Sequence, residues 1–212
     1  MSPIVRCVRH AQGVHNLSHA THHLSDPELT FLGEEQARTL ATRDSDRAVG
    51  VLLTGKGRRP VAWPEVQEAS GLICDTGRDL HDIQAEFEKL PVDFALVEPG
   101  WHIKQGKWAP VASRLLERAQ LARQWLSQRP EKEIVVVSHG CFLHFLTDDW
   151  VNAVNSHATD WANAEVRSFA FANDVDESPA LSRAVADDTA NVDRVGCHIG
   201  VIYFTSGVDA GP

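Results

Sequence analysis

Apolar residues come in short blocks along this chain, separated by longer polar stretches. Ile4 to Val8 is one such block and predicts a strand. The segment from Arg9 to Leu32 is polar and histidine-rich, which predicts a loop. Gly33 to Thr42 has helix composition, with Ala37, Leu40 and Ala41 on one face. Val49 to Thr54 predicts a second buried strand, and Gly55 to Pro60 a tight basic turn. Pro64 to Gly71 begins as a short helix, Cys74 to Gly77 as a turn, and Asp79 to Leu90 as a helix. The stretch from Pro91 to Pro110 reads as irregular and holds two tryptophans. Val111 to Gln128 gives the clearest helix: Leu115, Leu116, Ala119, Ala122, Trp125 and Leu126 form an apolar stripe. Arg129-Pro130 stops it.

Glu133 to Val137 follows as an apolar strand of the kind found at the centre of a parallel sheet. Cys141 to Trp150 continues as a helix, and Val166 to Phe171 and Ile199 to Phe204 are later strands. Between them, residues 173–194 are rich in Asp and Ala and read as an irregular surface insertion. There is no internal repeat. Strands alternating with helices predict a single α/β domain over residues 1–212, a three-layer α/β/α arrangement with a mostly parallel central sheet. Ligands of such sheets bind at the carboxyl ends of strands, where His10 and His139 fall.

Composition adds limits rather than a function. A chain of 212 residues is long enough for a large core. No apolar run approaches the roughly 20 residues that span a bilayer, and Met1 to Arg6 does not open a secretory signal. The expectation is a cytoplasmic protein. A net charge of −9 argues against nucleic acid or an anionic membrane as partner and favours a small ligand in a local basic pocket. Cys7, Cys74, Cys141 and Cys197 are widely spaced, which suits core or free thiols rather than a disulfide frame or zinc site.

The chemistry concentrates in two segments. Val5-Arg6-Cys7-Val8-Arg9-His10 and Ile134-Val135-Val136-Val137-Ser138-His139-Gly140 are each an apolar run that ends in a histidine at a turn. An Arg-His pair at one strand end and a His-Gly at another suit gripping an anion and attacking it with an imidazole. His15 and His19 have the i, i+4 spacing of helix-borne metal ligands. No carboxylate ligand set accompanies them, so no metal and no other cofactor is expected.

These two segments resemble the histidine phosphatase superfamily, the phosphoglycerate-mutase-like proteins. Five ordered stretches carry the likeness, best to a fungal-type branch: residues 9–16, 26–37, 66–77, 106–110 and 139–150. The resemblance implies that His10 is the nucleophile, taking a phosphoryl group as phosphohistidine. A neutral imidazole can do this, and the ordinary histidine pKa of about 6.5 leaves it mostly neutral at pH 7. Arg9 would bind phosphate oxygens with its planar fork. His139 would stabilise the transition state, and Asn16 and Gly140 would help to bind the phosphate. Glu68, in Val66-Gln67-Glu68, would protonate the leaving alkoxide and then activate water.

The family also has a second arginine, followed by a helix and a strand before its glutamate segment. Here Arg59 is followed directly by Pro60 to Glu68, so about twenty residues are missing relative to the family pattern. One alignment places Arg59 at the catalytic arginine. Another places Arg58 to Val61 just before the glutamate segment, and the catalytic arginine is then absent. Pro60 bars the usual helix from running on unchanged. A sheet edge bared by the deletion would offer a homodimer surface.

Three functions therefore compete. The first is a metal-independent phosphatase acting on a small, anionic substrate through His10. The second is a different enzyme on the same fold, using His10, His139 and Glu68 as acid–base groups in elimination, isomerisation or cyclisation. The third is an inactive binding protein. Simpler roles stand beside the catalytic ones: Glu68 as a solvated helix-start carboxylate, Asn16 as a turn cap, His144 as a satisfied core histidine, and Trp101 and Trp108 as packing.

Overall fold

The computed structural model describes residues 2–42, 60–150, 160–171, 179–183 and 201–205. The expected strand at 49–54, its basic turn and Arg59 lie outside these, as do most of 173–194 and Cys197. The described strands are β1 (Ile4–Arg9), β2 (Val61–Ala62), β3 (Glu133–Ser138), β4 (Val166–Phe171), β5 (Leu181–Arg183) and β6 (Val201–Thr205). The helices are α1 (Phe31–Thr42), α2 (Leu80–Glu86), α3 (Ala112–Ser127) and α4 (Gly140–Thr147). Single 3-10 turns sit at Val14–Asn16, His19–Thr21, Pro64–Val66, Ile73–Asp75 and Gly106–Trp108.

The strands form one sheet in the order β2-β6-β3-β1-β4-β5. Among the described strands only β1 and β3 run parallel, with Ile4 opposite Glu133 and Arg9 opposite Ser138. The pairs β1–β4, β2–β6, β3–β6 and β4–β5 are antiparallel. The sheet is thus mixed and mostly antiparallel among the described residues, not mostly parallel. The apolar run of β3 reports burial on both faces, which a central strand has whatever the direction of its neighbours. Direction is set by the connections, which no strand pattern contains.

Alternation along the central strands divides the core. Val5, Cys7, Ile134 and Val136 pack on one face with Leu115, Ala119, Ala122 and Leu126 of α3 and Phe142, Leu143 and Leu146 of α4. Val8 and Val135 point the other way and pack with Leu40 of α1. Helices therefore cover both faces, as expected of the three-layer α/β arrangement. Leu116 was placed in the α3 stripe by its spacing but is exposed; Arg118 takes the inward position instead and is buried. Residues 173–194 are not wholly a surface excursion. Leu181 to Arg183 pair with β4, and Leu181 is buried in the main core.

The outer side of β2 is not bare. The Ala62 amide donates to the Asp93 carbonyl at 2.8 Å, and the Asp93 amide donates to the Pro60 carbonyl at 2.8 Å. Asp93 thus lies along this edge of the described sheet.

Candidate active site

The parallel pairing of β1 with β3 brings the two histidines together. Arg9 is opposite Ser138 in register, so His10 and His139 leave adjacent strands at the same level. Their ring centroids are 5.0 Å apart and both are buried. The His10 amide donates to the Ser138 carbonyl at 2.8 Å. From the other side, Asn163 Nδ2 donates to the His10 carbonyl at 2.9 Å, and the Ala164 amide reaches the carbonyls of Arg9 and His10. Ala164 holds a φ of 59°, a left-handed conformation that costs a non-glycine residue about 1 kcal/mol. The backbone at His10 is thereby clamped between β3 and the turn that enters β4.

The His10 ring has a defined tautomer. Its Nδ1 is 2.8 Å from the Ala11 carbonyl oxygen, which can only accept. Nδ1 therefore carries the proton and donates, and in the neutral ring Nε2 keeps its lone pair. The His15 ring lies 5.5 Å from His10, on the 3-10 turn Val14–Asn16. His19 faces His22 at 4.9 Å and lies on the next 3-10 turn, so His15 and His19 do not share one helix face as the i, i+4 spacing allowed. No group of three metal-ligating side chains occurs among the described residues.

Glu68 reaches this site from another part of the chain. Ser138 Oγ donates to the Val66 carbonyl at 2.7 Å and ties the end of β3 to the turn before Glu68. Oε1 of Glu68 accepts the Ala69 amide at 2.6 Å and the Phe142 amide at 3.2 Å. Phe142 is the third residue of α4, which starts at Gly140, directly after His139. Glu68 is not the solvated helix-start carboxylate that its flanking sequence allowed. It is partly buried and follows an isolated 3-10 turn. Burial, and then the nearby Asp75 carboxylate, push its pKa up to about 7 against the opposing Ala69 hydrogen bond and the charges of Arg9 and Lys104.

Arg9 is half-buried and donates through Nη1 to the Trp161 carbonyl. Its charge acts on Glu68, which puts both in one electrostatic neighbourhood. Asn16 uses its Oδ1 twice, accepting from the Gly13 amide at 3.0 Å and from Asn163 Nδ2 at 3.3 Å. It caps its own turn as well as facing the site. Gly140 is buried as the first residue of α4. Arg59 lies outside the described residues.

The structure thus brings His10, His139, Arg9 and Glu68 to one place, at the carboxyl ends of a parallel strand pair. The model of the histidine phosphatase superfamily (branch 1) matches residues 5–178. The chain belongs to this superfamily. A solved structure from Mycobacterium tuberculosis, of the open reading frame Rv3214, is similar at 14% identity, with 86% of this chain and 96% of that one covered and a TM-score of 0.41. No curated protein matches the chain closely enough to count as a relative.

In this member of the superfamily, several residues around the site were silent in the sequence. Asn163 and Trp161 contribute through a loop that has no motif. Lys104 lies in the irregular stretch before Gly106. Arg118 had one readable signal: it is three residues after Leu115 and four before Ala122, inside the apolar stripe. Trp101 is core, packed with Ala62, Ile83 and Val97, and Trp108 is buried beside Arg118. His144 is the satisfied core histidine expected, with Nδ1 at 2.6 Å from the Asp149 carbonyl. Cys7, Cys74 and Cys141 are free thiols. No helix among the described residues is long and apolar enough to cross a membrane.

Proposed function

We propose that this chain is a metal-independent phosphomonoesterase that works through a phosphohistidine on His10. The observation that carries this reading is the hydrogen bond from His10 Nδ1 to the Ala11 carbonyl, which puts the proton of the neutral ring on Nδ1 and the lone pair on Nε2. In the first step, Nε2 forms a bond to phosphorus as the ester P–O bond breaks. The Glu68 carboxyl gives its proton to the departing alkoxide. A carboxyl with a pKa near 7 is suited to this, because a large fraction is still protonated at neutral pH. In the second step, water attacks phosphorus and passes a proton to the Glu68 carboxylate. The P–N bond breaks, releasing phosphate and neutral His10.

Arg9, Asn16 and the Gly140 amide are assigned to the phosphate oxygens, and His139 to the charge that develops on them. Arg9, and His139 when protonated, would supply the positive charge there, so the proposed steps invoke no metal. The substrate is assigned as a small anionic phosphomonoester.

The test is incubation with an aryl phosphate, with acid-quench and alkali-quench trapping of labelled protein. The expected result is an acid-labile, alkali-stable phosphoprotein that is absent in His10→Ala. Hydrolysis that persists undiminished in His10→Ala refutes the reading.

A second reading keeps the fold but drops phosphoryl transfer, with His10, His139 and Glu68 serving acid–base chemistry on an unphosphorylated metabolite. It draws support from β2: Val61–Ala62 is the strand that leads into the Glu68 segment, the place that the second alignment gives to residues 58–61. Under that alignment the catalytic arginine is gone. Wild-type turnover of the aryl phosphate separates the two, and where it occurs an Arg59→Ala variant asks whether Arg59 is the clamp. A fall of about 10³-fold or more supports Arg59 as a phosphate clamp; unchanged turnover of the aryl phosphate removes it from the site.

A further inference from the structure

Two cations with no role in the steps above, the buried Arg118 and the half-buried Lys104, hold the backbone that carries Glu68. Arg118 of α3 is 3% exposed. Its Nε donates to the Glu65 carbonyl at 3.1 Å and its Nη2 to the Gln67 carbonyl at 2.5 Å. Lys104 Nζ donates to the carbonyl of Glu68 itself at 3.0 Å. Three of the four carbonyls from Glu65 to Glu68 are thus held by cationic side chains.

Arg118 also touches the other partner of Glu68. Its guanidinium carbon is 4.4 Å from the centroid of the Phe142 ring, and the Phe142 amide is the one that donates to Glu68 Oε1. One side chain therefore contacts both the peptide before the carboxylate and the residue that binds it. A guanidinium is suited to this, since its rigid fork can serve two carbonyls while its face stacks on a ring.

Burying cations here is expensive. Burial, joined by the charge of Arg118, pulls the Lys104 ammonium down to about 8, and burial pulls the Arg118 guanidinium down to about 10. Simple packing of α3 would be served as well by an apolar side chain at 118. The cost is understandable if the carbonyls have to be held in place.

The geometry points to Arg118 and Lys104 as positioning residues for Glu68, locking the Glu65–Glu68 backbone and the Phe142 amide so that the carboxyl stays in one orientation at the start of α4. Neither touches the reacting atoms in this assignment. The kinetic consequence rests on the phosphatase reading; the positioning itself does not.

The experiment uses the full chain and the variants Arg118→Met, Lys104→Met and Arg118→Lys, each checked for native near-UV dichroism. The titration of Glu68 is followed by infrared difference spectroscopy, with Glu68→Gln assigning the carboxyl band. The expected result is a higher Glu68 midpoint in Lys104→Met and Arg118→Met, because each loses a nearby cation and the hold on the backbone. Arg118→Lys is expected to fall between, since lysine can serve one carbonyl but not two. With an alkyl phosphate, whose leaving group needs the Glu68 proton, kcat is expected to fall by about 10-fold to 100-fold while KM stays nearly constant, the scale of a misplaced catalytic group.

An unmoved Glu68 midpoint in folded Arg118→Met and Lys104→Met overturns the proposal and leaves both as packing residues. If the methionine variants do not fold, Arg118→Lys decides: a wild-type midpoint and wild-type kcat overturn it. A shifted midpoint in a wild-type protein that forms no phosphohistidine supports the positioning role and refutes the phosphatase reading.

Discussion

The amide of Phe142 donates to the carboxylate of Glu68 at 3.2 Å, although the two residues are 74 positions apart. Phe142 belongs to the first turn of α4, whose amides have no partner within the helix. Glu68 supplies one from a distant turn, and so it caps the helix that begins beside His139. The placement of this carboxyl and the capping of the helix are here the same contact.

The Glu68 carboxyl gives the first prediction. Its folded pKa, about 7, stands above the value of 4.5 it would have when exposed. The folded state therefore holds the proton more tightly, and stability falls as pH rises from 4.5 to 7. Glu68→Gln, which stays neutral, is expected to gain stability relative to the wild type across this window. Urea unfolding of both proteins at pH 4.5 and pH 8 reads the difference. A constant gap between them argues against a raised carboxyl.

Kinetics should show the same group. With an alkyl phosphate, kcat/KM is expected to fall above pH 7 as Glu68 loses its proton. Glu68→Gln should lower the rate by about 10²–10⁴-fold and abolish that limb. With a p-nitrophenyl ester the loss should be much smaller, because the leaving group needs no proton. Equal losses on both esters would remove Glu68 from the acid role.

Asn16→Ala orphans the Gly13 amide and releases Asn163, which also holds the His10 carbonyl. A loss of about 1–2 kcal/mol in urea unfolding is expected, together with slower phosphorylation of His10 in rapid quench.

Gly77 lies against Trp101, and a Cβ at 77 would overlap the indole ring. Trp101 is almost wholly buried. Gly77→Ala should cost about 1–3 kcal/mol through overpacking, seen as a lower melting temperature. Gly106 has open space at its Cβ but a φ of 58°, so alanine there would meet backbone strain rather than overlap.

Arg167 is enclosed by Asp149 at 3.5 Å, Asp160 at 3.4 Å and Glu165 at 2.6 Å, and it stacks 4.0 Å from the Trp161 ring. The Trp161 carbonyl is the acceptor of Arg9. Arg167→Met should leave three carboxylates facing one another and cost up to about 3 kcal/mol, the low end for a broken buried ion pair because the acids keep some water. Raising the salt concentration should recover part of the loss in thermal unfolding. No salt dependence would argue that the cost is packing.

Much of the architecture was legible from local pattern. Ile4, Val8 and the run from Ile134 to Val137 marked the central strands, and Arg129-Pro130 marked the end of α3, because periodicity and helix breakers act on neighbours in the chain. The direction of β4 and β6 was not legible, since apolar content reports burial and not orientation. The place of Leu116 in the stripe fails for a related reason. Spacing admits both to the stripe, and hydropathy favours the leucine. The inward place went to the arginine because carbonyls of Glu65 and Gln67 face it there.

The sequence alone set which groups are available: a histidine at the end of each of two apolar runs, an arginine before one of them, and a glutamate between. These depend on residue type and strand period, which are local properties. The tertiary structure decided their chemistry. The register of β1 against β3 set the 5.0 Å spacing of His10 and His139. The Ala11 carbonyl chose the tautomer of His10, and the enclosure beside Asp75 pushed Glu68 toward neutral pH. Proton affinity and orientation come from burial and from partners distant in the chain, and these exist only once the chain has folded.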